Sequence, residues 1–201
     1  GTVLMAKNAN QPLPPASMSK LMTLYMAFEA IDAGILDLDQ ELPVSAAAQQ
    51  YGGSTMFLKA GERVRVEDLI RGIIVLSGND ACVVIAEALA GTEAEFARQM
   101  TMRAQQLGMT NSTFTNSNGW PKAGHRMSMR DLGLVATKLI KDYPQYYPIF
   151  SQKDPAPAVR GSVNTSSMTT VFCDFMAWRE IASFSFSLFS IFSKSSALRP
   201  F

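Results

Sequence analysis

From Met18 to Ile31 the apolar positions are so dense that almost no polar face remains. Met18, Leu21, Met22, Leu24, Tyr25, Met26, Phe28 and Ile31 fall all round a helical wheel. A helix apolar on every side belongs at the centre of a core. Asp32-Ala33-Gly34 ends it, with Gly34 placed just past the C-terminus, where a left-handed residue is favoured. A second dense run, VEDLIRGIIVLSGNDACVVIAEALAG (66–91), reads as two apolar helices interrupted at Ser77-Gly78-Asn79. Thr92 and Glu95 have capping-box spacing and open a helix to about Leu107, with Gly108 stopping it. Ser128 and Asp131 resemble a second such start, before an amphipathic helix to about Lys141. Region 35–64 reads as loop-rich, with turn glycines at 52, 53 and 61, and MTNSTFTNSNGWP (109–121) is rich in turn residues. At the front, Thr2 to Lys7 is a short β-type run followed by an extended proline segment. The chain opens as a strand already under way, which is read as N-terminal trimming.

The pattern changes after about Lys153. The remainder is rich in Ser and Phe and poor in turn signals, and SFSFSLFSIFS (183–193) alternates like a strand with serine at nearly every second place. No internal repeat explains it. Composition then removes whole classes of function. The 201 residues suffice for one sizeable domain with a core. A net charge of +1, with 17% charged residues, gives no footprint for nucleic acid. No run of about 20 apolar residues marks a membrane span, and no charged and apolar leader marks a signal peptide. Cys82 and Cys173 are too far apart in sequence to suggest a disulfide framework or a metal motif. His125 is the single histidine, so neither a histidine-based metal centre nor a cofactor is expected, and a Ser-His-Asp scheme would have to rest on it alone.

The chemistry lies in two short polar interruptions. Ser17 precedes Lys20 by three residues, so the two side chains share one helix face. A serine hydroxyl needs a base to become a nucleophile. A lysine in apolar surroundings has its charged form disfavoured and can serve as that base. The adjoining helix N-terminus offers unpaired N–H groups to a developing oxyanion. The bland reading is an N-cap serine beside a lysine that reaches water. Ser77-Gly78-Asn79 comes 60 residues after Ser17, and it breaks an apolar run at a cost in helix stability. It is either an ordinary turn or a second wall of the site. His125 reads as structural or surface, Cys82 as a small buried residue, Trp120 and Pro121 as shaping a turn near the site, and Asp80 as a cap of the helix after the Ser77 turn.

Together, S-x-x-K followed by S-x-N about 60 residues on resembles the penicillin-recognising serine enzymes. PPASMSKLMT, STMFLKAGERVRVEDLIRGIIVLSGNDACVVIAEALAG and LGMTNSTFTNSNGWP…MSMRDLGLVATKLI are similar to the low-molecular-mass penicillin-binding proteins, specifically the D-alanyl-D-alanine carboxypeptidases. The resemblance covers about residues 1–153 and implies an α+β fold in which a helical subdomain packs on an antiparallel sheet, incomplete here. It implies acylation by peptidoglycan stem peptides ending in D-Ala-D-Ala and by β-lactams. Ser17 would be the nucleophile, Lys20 its general base, Ser77 the proton relay to the leaving D-alanine and in deacylation, and Asn79 the residue that positions the substrate amide. It implies a periplasmic enzyme held at the inner membrane, although neither a signal peptide nor the family's amphipathic anchor is found in this chain. The family also uses a Lys-Thr-Gly strand to bind the substrate carboxylate and complete the oxyanion hole. That tripeptide does not occur here. Residues 154–201 therefore read as an unrelated tail, the product of a frameshift or truncation, and activity is expected to be impaired. Two alternatives stand beside this one. The first is a catalytically dead penicillin-binding relic. The second is a class A-like β-lactamase, which the acid-free stretch TNSNGWPKAGHRMS disfavours because nothing in it could activate the deacylating water.

Overall fold

The computed structural model describes residues 6–152. Most of the expected Thr2–Lys7 strand and all of segment 154–201 lie outside the described residues. The helix predicted from the densest apolar run is α1, Lys20–Asp32, in which nine of thirteen residues are buried, Leu21, Met22 and Leu24 completely. It packs against four further helices, α3 (Val66–Leu76), α4 (Asn79–Ala90), α5 (Glu93–Gln106) and α6 (Met129–Asp142), which explains why its sequence has no polar face. Its C-terminus closes as expected. Gly34 takes φ +70°, the Ile35 N–H donates to the Ala30 carbonyl at 2.9 Å, and the Gly34 N–H donates to Ile31 at 3.0 Å. Its N-terminus differs from the expectation. Ser17 precedes the α-helix and lies in a 3₁₀ turn, Ala16–Ser19.

The loop-rich reading of 35–64 is also modified. Glu41–Pro43 (β1) and Arg63–Arg65 (β2) pair antiparallel, with Leu42 opposite Val64, and a one-turn helix, Ala46–Gln49 (α2), follows β1. Three-residue strands are too short for an alternating pattern to stand out in sequence, and only Leu42 of β1 is buried. The break between the apolar helices is where it was expected. α3 ends at Leu76, Ser77 takes the left-handed conformation with φ 56°, and α4 starts at Asn79.

Thr92 accepts from the Glu95 N–H at 3.2 Å and so caps α5. The reciprocal half of the capping box is absent because the Glu95 carboxylate turns to Arg98 and Gln99. Ser128 caps α6 by accepting from the Asp131 N–H at 3.1 Å. Asp131 in turn accepts from the Asn111 N–H at 2.8 Å and the Ser112 hydroxyl at 2.7 Å, which ties the turn-rich stretch to the start of α6. Backbone bridges Thr113–Arg126 and Leu13–Met127 anchor both ends of the loop between α5 and α6. Among the described residues no helix is long and apolar enough to cross a membrane.

Candidate active site

The 3₁₀ turn matters chemically. In a 3₁₀ turn residues i and i+3 eclipse one another, so Ser17 stands directly over Lys20. The Lys20 Nζ donates to Ser17 Oγ at 3.0 Å and to Ser77 Oγ at 3.1 Å. One amine thus bridges two hydroxyls that are 60 residues apart in sequence. Ser17 is partly exposed, Ser77 is 6% exposed, and Lys20 is completely enclosed. The arrangement needs unusual backbone. Ala16 and Ser77 are two of only four non-glycine residues with positive φ among those described, at 49° and 56°; the first precedes Ser17 and the second carries the other hydroxyl. Such conformations persist only where surrounding structure enforces them.

Burial holds the Lys20 amine below its ordinary value of 10.5, because enclosure disfavours the ammonium form. The nearby Asp80 carboxylate acts in the opposite direction. Asp80 is 2% exposed and accepts from the backbone N–H groups of Met56 at 2.9 Å, Leu58 at 3.1 Å and Ala81 at 2.9 Å. Asp80 is not the expected cap, since α4 starts from Gly78 without a side-chain cap and Asp80 lies inside its first turn; it clamps residues 56–58 to the helix that carries Asn79. Cys82 is fully buried as expected, and its thiol is pushed up to about 12, so it stays neutral beside the amine.

Asn79 faces the same region from the first position of α4. Its Nδ2 donates to the Gly52 carbonyl at 2.8 Å, and its N–H donates to the Ser54 carbonyl at 2.8 Å. The backbone of Gly53 passes so close that a Cβ there would stand 3.0 Å from the Trp120 ring and 3.2 Å from Asn79 Nδ2. Trp120 is 46% exposed and meets the edge of Tyr51, ring centroids 6.4 Å apart. On the other side Gly119 presses on the residue before Ser17, where a Cβ would stand 1.9 Å from the Ala16 carbonyl oxygen. Sequence reasoning placed Trp120 at a turn near the site and missed Gly119, whose requirement is a tertiary contact with residue 16.

His125 is away from this hydrogen-bonded group. It is 2% exposed, which excludes the surface half of its expected role. Its Nδ1 accepts from the Thr115 N–H at 3.1 Å, and burial lowers it to about 4. Among the described residues no cluster of His, Cys, Asp and Glu could hold a metal ion. The site sets a partly exposed hydroxyl beside an enclosed amine placed to take a proton from it, with a second hydroxyl bonded to the same amine. That is the equipment for acyl transfer.

Comparison with known proteins gives the same direction. The family model described as D-alanyl-D-alanine carboxypeptidase matches residues 1–172. The chain is 40% identical over 141 residues to the D-alanyl-D-alanine carboxypeptidase DacF of Bacillus subtilis (strain 168), covering 70% of this chain and 36% of the relative. Among solved structures, penicillin-binding protein 6B from Escherichia coli superposes with a TM-score of 0.76 at 35% identity, covering 84% of this chain and 55% of that one. Penicillin-binding protein D2 from Listeria monocytogenes, in its ampicillin-bound form, gives a TM-score of 0.67 at 29% identity, covering 76% of this chain and 62% of that one. The chain thus spans well under half the length of DacF. Its helices and small antiparallel sheet have the α+β architecture of these proteins.

Proposed function

Because the chain belongs to the D-alanyl-D-alanine carboxypeptidase family, peptidase S11, we propose that it forms an acyl-enzyme on Ser17 with peptides ending in D-Ala-D-Ala and with β-lactams. The single observation that carries this reading is the enclosed Lys20 amine, bonded at once to Ser17 at 3.0 Å and Ser77 at 3.1 Å. In its neutral form Lys20 takes the Ser17 proton as Oγ attacks the carbonyl of the penultimate D-alanine. The hydroxyl of Ser77 accepts hydrogen from Lys20 and rotates to hand its own proton to the departing D-alanine nitrogen. Asn79, with Nδ2 fixed on the Gly52 carbonyl, has its Oδ1 as acceptor for the N–H of the substrate amide. Water then enters where D-alanine left, and the same Lys20–Ser77 pair removes its proton to free Ser17. The substrate places this chemistry at the bacterial cell wall, and we assign it to the periplasm, at the inner membrane.

A penicillin-binding relic, acylated without turnover, is the second reading. A β-lactamase reading is weakened because the loop facing the site, 110–128, carries no carboxylate to activate the deacylating water.

Intact mass after incubation with a penicillin, beside Ser17→Ala, tests the assignment. One adduct per chain that vanishes in the variant is the expected result, and release of D-alanine from a D-Ala-D-Ala peptide then separates an enzyme from a relic. A folded protein with no adduct overturns the acyl-enzyme.

A further inference from the structure

Glu93, the first residue of α5, collects four hydrogen-bond donors from two separate loops. Its Oε1 accepts from the Ser117 N–H at 3.0 Å, the Ser117 hydroxyl at 2.6 Å and the Asn118 Nδ2 at 3.4 Å. Its Oε2 accepts from the Tyr51 hydroxyl. Burial, and then this bond to Glu93, raise the Tyr51 phenol well above its usual range, so it remains a donor. A carboxylate is all acceptor, which suits four donors. It also sits in the first turn of a helix, where negative charge is favoured.

Both loops end at the site. Ser117 and Asn118 are buried, and the Ser117 carbonyl accepts from the Thr23 hydroxyl of α1. Asn118 Oδ1 accepts from the Trp120 N–H at 2.8 Å, and Asn116 Oδ1 accepts from the Gly119 N–H at 2.8 Å. Gly119 then bears on the Ala16 carbonyl, one residue before Ser17. Tyr51 begins the other loop, whose Gly52 holds Asn79 and whose Gly53 lies against Trp120. The nucleophile's turn and the Asn79 wall are therefore fastened to one carboxylate that touches neither.

We propose that Glu93 is a positioning residue for the acyl transfer at Ser17, a role that rests on the acyl-enzyme reading above. It fixes the distance between the Ser17 turn and the Asn79 wall by holding loops 116–120 and 51–54 together. Glu93→Gln keeps the size but offers one acceptor oxygen and two unwanted donors, so the loops lose their common anchor. A displacement of about 1 Å at a reacting atom costs on the order of 100-fold.

The test is the time course of penicillin acylation on the full chain, fitted to separate the non-covalent dissociation constant from the first-order acylation step. Glu93→Gln is expected to slow that step about 10- to 100-fold while every folded molecule still becomes labelled. A purely structural role would lower the labelled fraction and leave the rate constant of the folded molecules unchanged, and that result overturns the proposal. Should Glu93→Gln fail to fold, Tyr51→Phe removes one donor only and is expected to slow the same step about threefold, with an unchanged step overturning the proposal. A wild-type chain that takes no label overturns the acyl-enzyme reading and this proposal with it. A labelled wild type with an unaffected variant overturns this proposal alone.

Discussion

Lys20 is held with no exposure to solvent, and its partners within hydrogen-bond reach are two hydroxyls. The protonated form is penalised by burial, so the amine becomes a base at a pH below the ordinary 10.5. The sign of the consequence is fixed. Acylation is expected to rise with pH along a limb whose midpoint is the Lys20 pKa, and that midpoint lies below 10.5. Lys20→Arg keeps a charge that does not come off. It is expected to slow acylation about 10²–10⁴-fold and to erase the limb. Rate against pH for both proteins checks this, and a Lys20→Arg protein that keeps the wild-type limb would remove Lys20 from the role of base. This residue was legible in the sequence because its relation to Ser17 is local, a matter of three positions. Its second partner, Ser77, was not legible by spacing. Only the family resemblance brought the two motifs together, because the contact spans 57 residues. Asp80 was readable as a residue of the start of α4, but not as a clamp, since its donors Met56 and Leu58 belong to another segment.

At the level of elements, the site is the meeting of a 3₁₀ turn, a helix–helix break and a glycine-bearing loop. Helices α1, α3 and α4 were readable because an apolar run of that density dictates burial whatever the neighbours are. The 3₁₀ turn was not, because alanine has no propensity for the positive φ that Ala16 takes here, packed closely against Gly119. That contact makes a prediction. Gly119 has φ +85°, and a methyl there would stand 1.9 Å from the Ala16 carbonyl oxygen. Gly61 has a similar φ, +89°, with nothing within 4 Å of an added Cβ. Gly61→Ala is expected to cost about 1 kcal/mol from the left-handed backbone alone. Gly119→Ala adds steric overlap and is expected to cost about 3 kcal/mol and to slow acylation as well. Urea unfolding midpoints and acylation rates of the two variants decide it. Equal losses would mean that the loop yields freely, and that the Ala16 turn does not depend on it.

At the scale of the whole molecule, the loop 113–127 is fastened to the helical body by the apolar packing of Phe114 and Met127 and by buried polar groups, among which His125 is the titratable one. The sequence reading could not choose between a surface and a structural histidine, because a lone His in a turn-rich stretch carries no periodicity. In the fold its Nδ1 accepts from Thr115, and its ring meets Phe114 edge-on, centroids 5.6 Å apart. Burial lowers it from 6.5 to about 4, Glu93 opposes the shift, and Arg126 adds to it. A depressed histidine favours the unfolded chain in acid, where the unfolded state binds the proton first. The stability His125 supplies is therefore complete above about pH 6.5, falls as the pH drops toward 4, and is constant below that. Allowing for relaxation around the ring, the loss is about 2 kcal/mol, or roughly 4–8 °C in melting temperature for a chain of this size. His125→Asn keeps an acceptor for the Thr115 N–H and does not titrate. Melting curves of the two proteins between pH 7.5 and pH 4 (about the span of the two values) are expected to converge in acid, the wild type losing more than the variant, while the carboxylates common to both cancel in the difference. Parallel curves would mean that His125 takes up its proton without releasing the loop, and the link between that loop and global stability would have to lie in Asp131 and Glu93 instead.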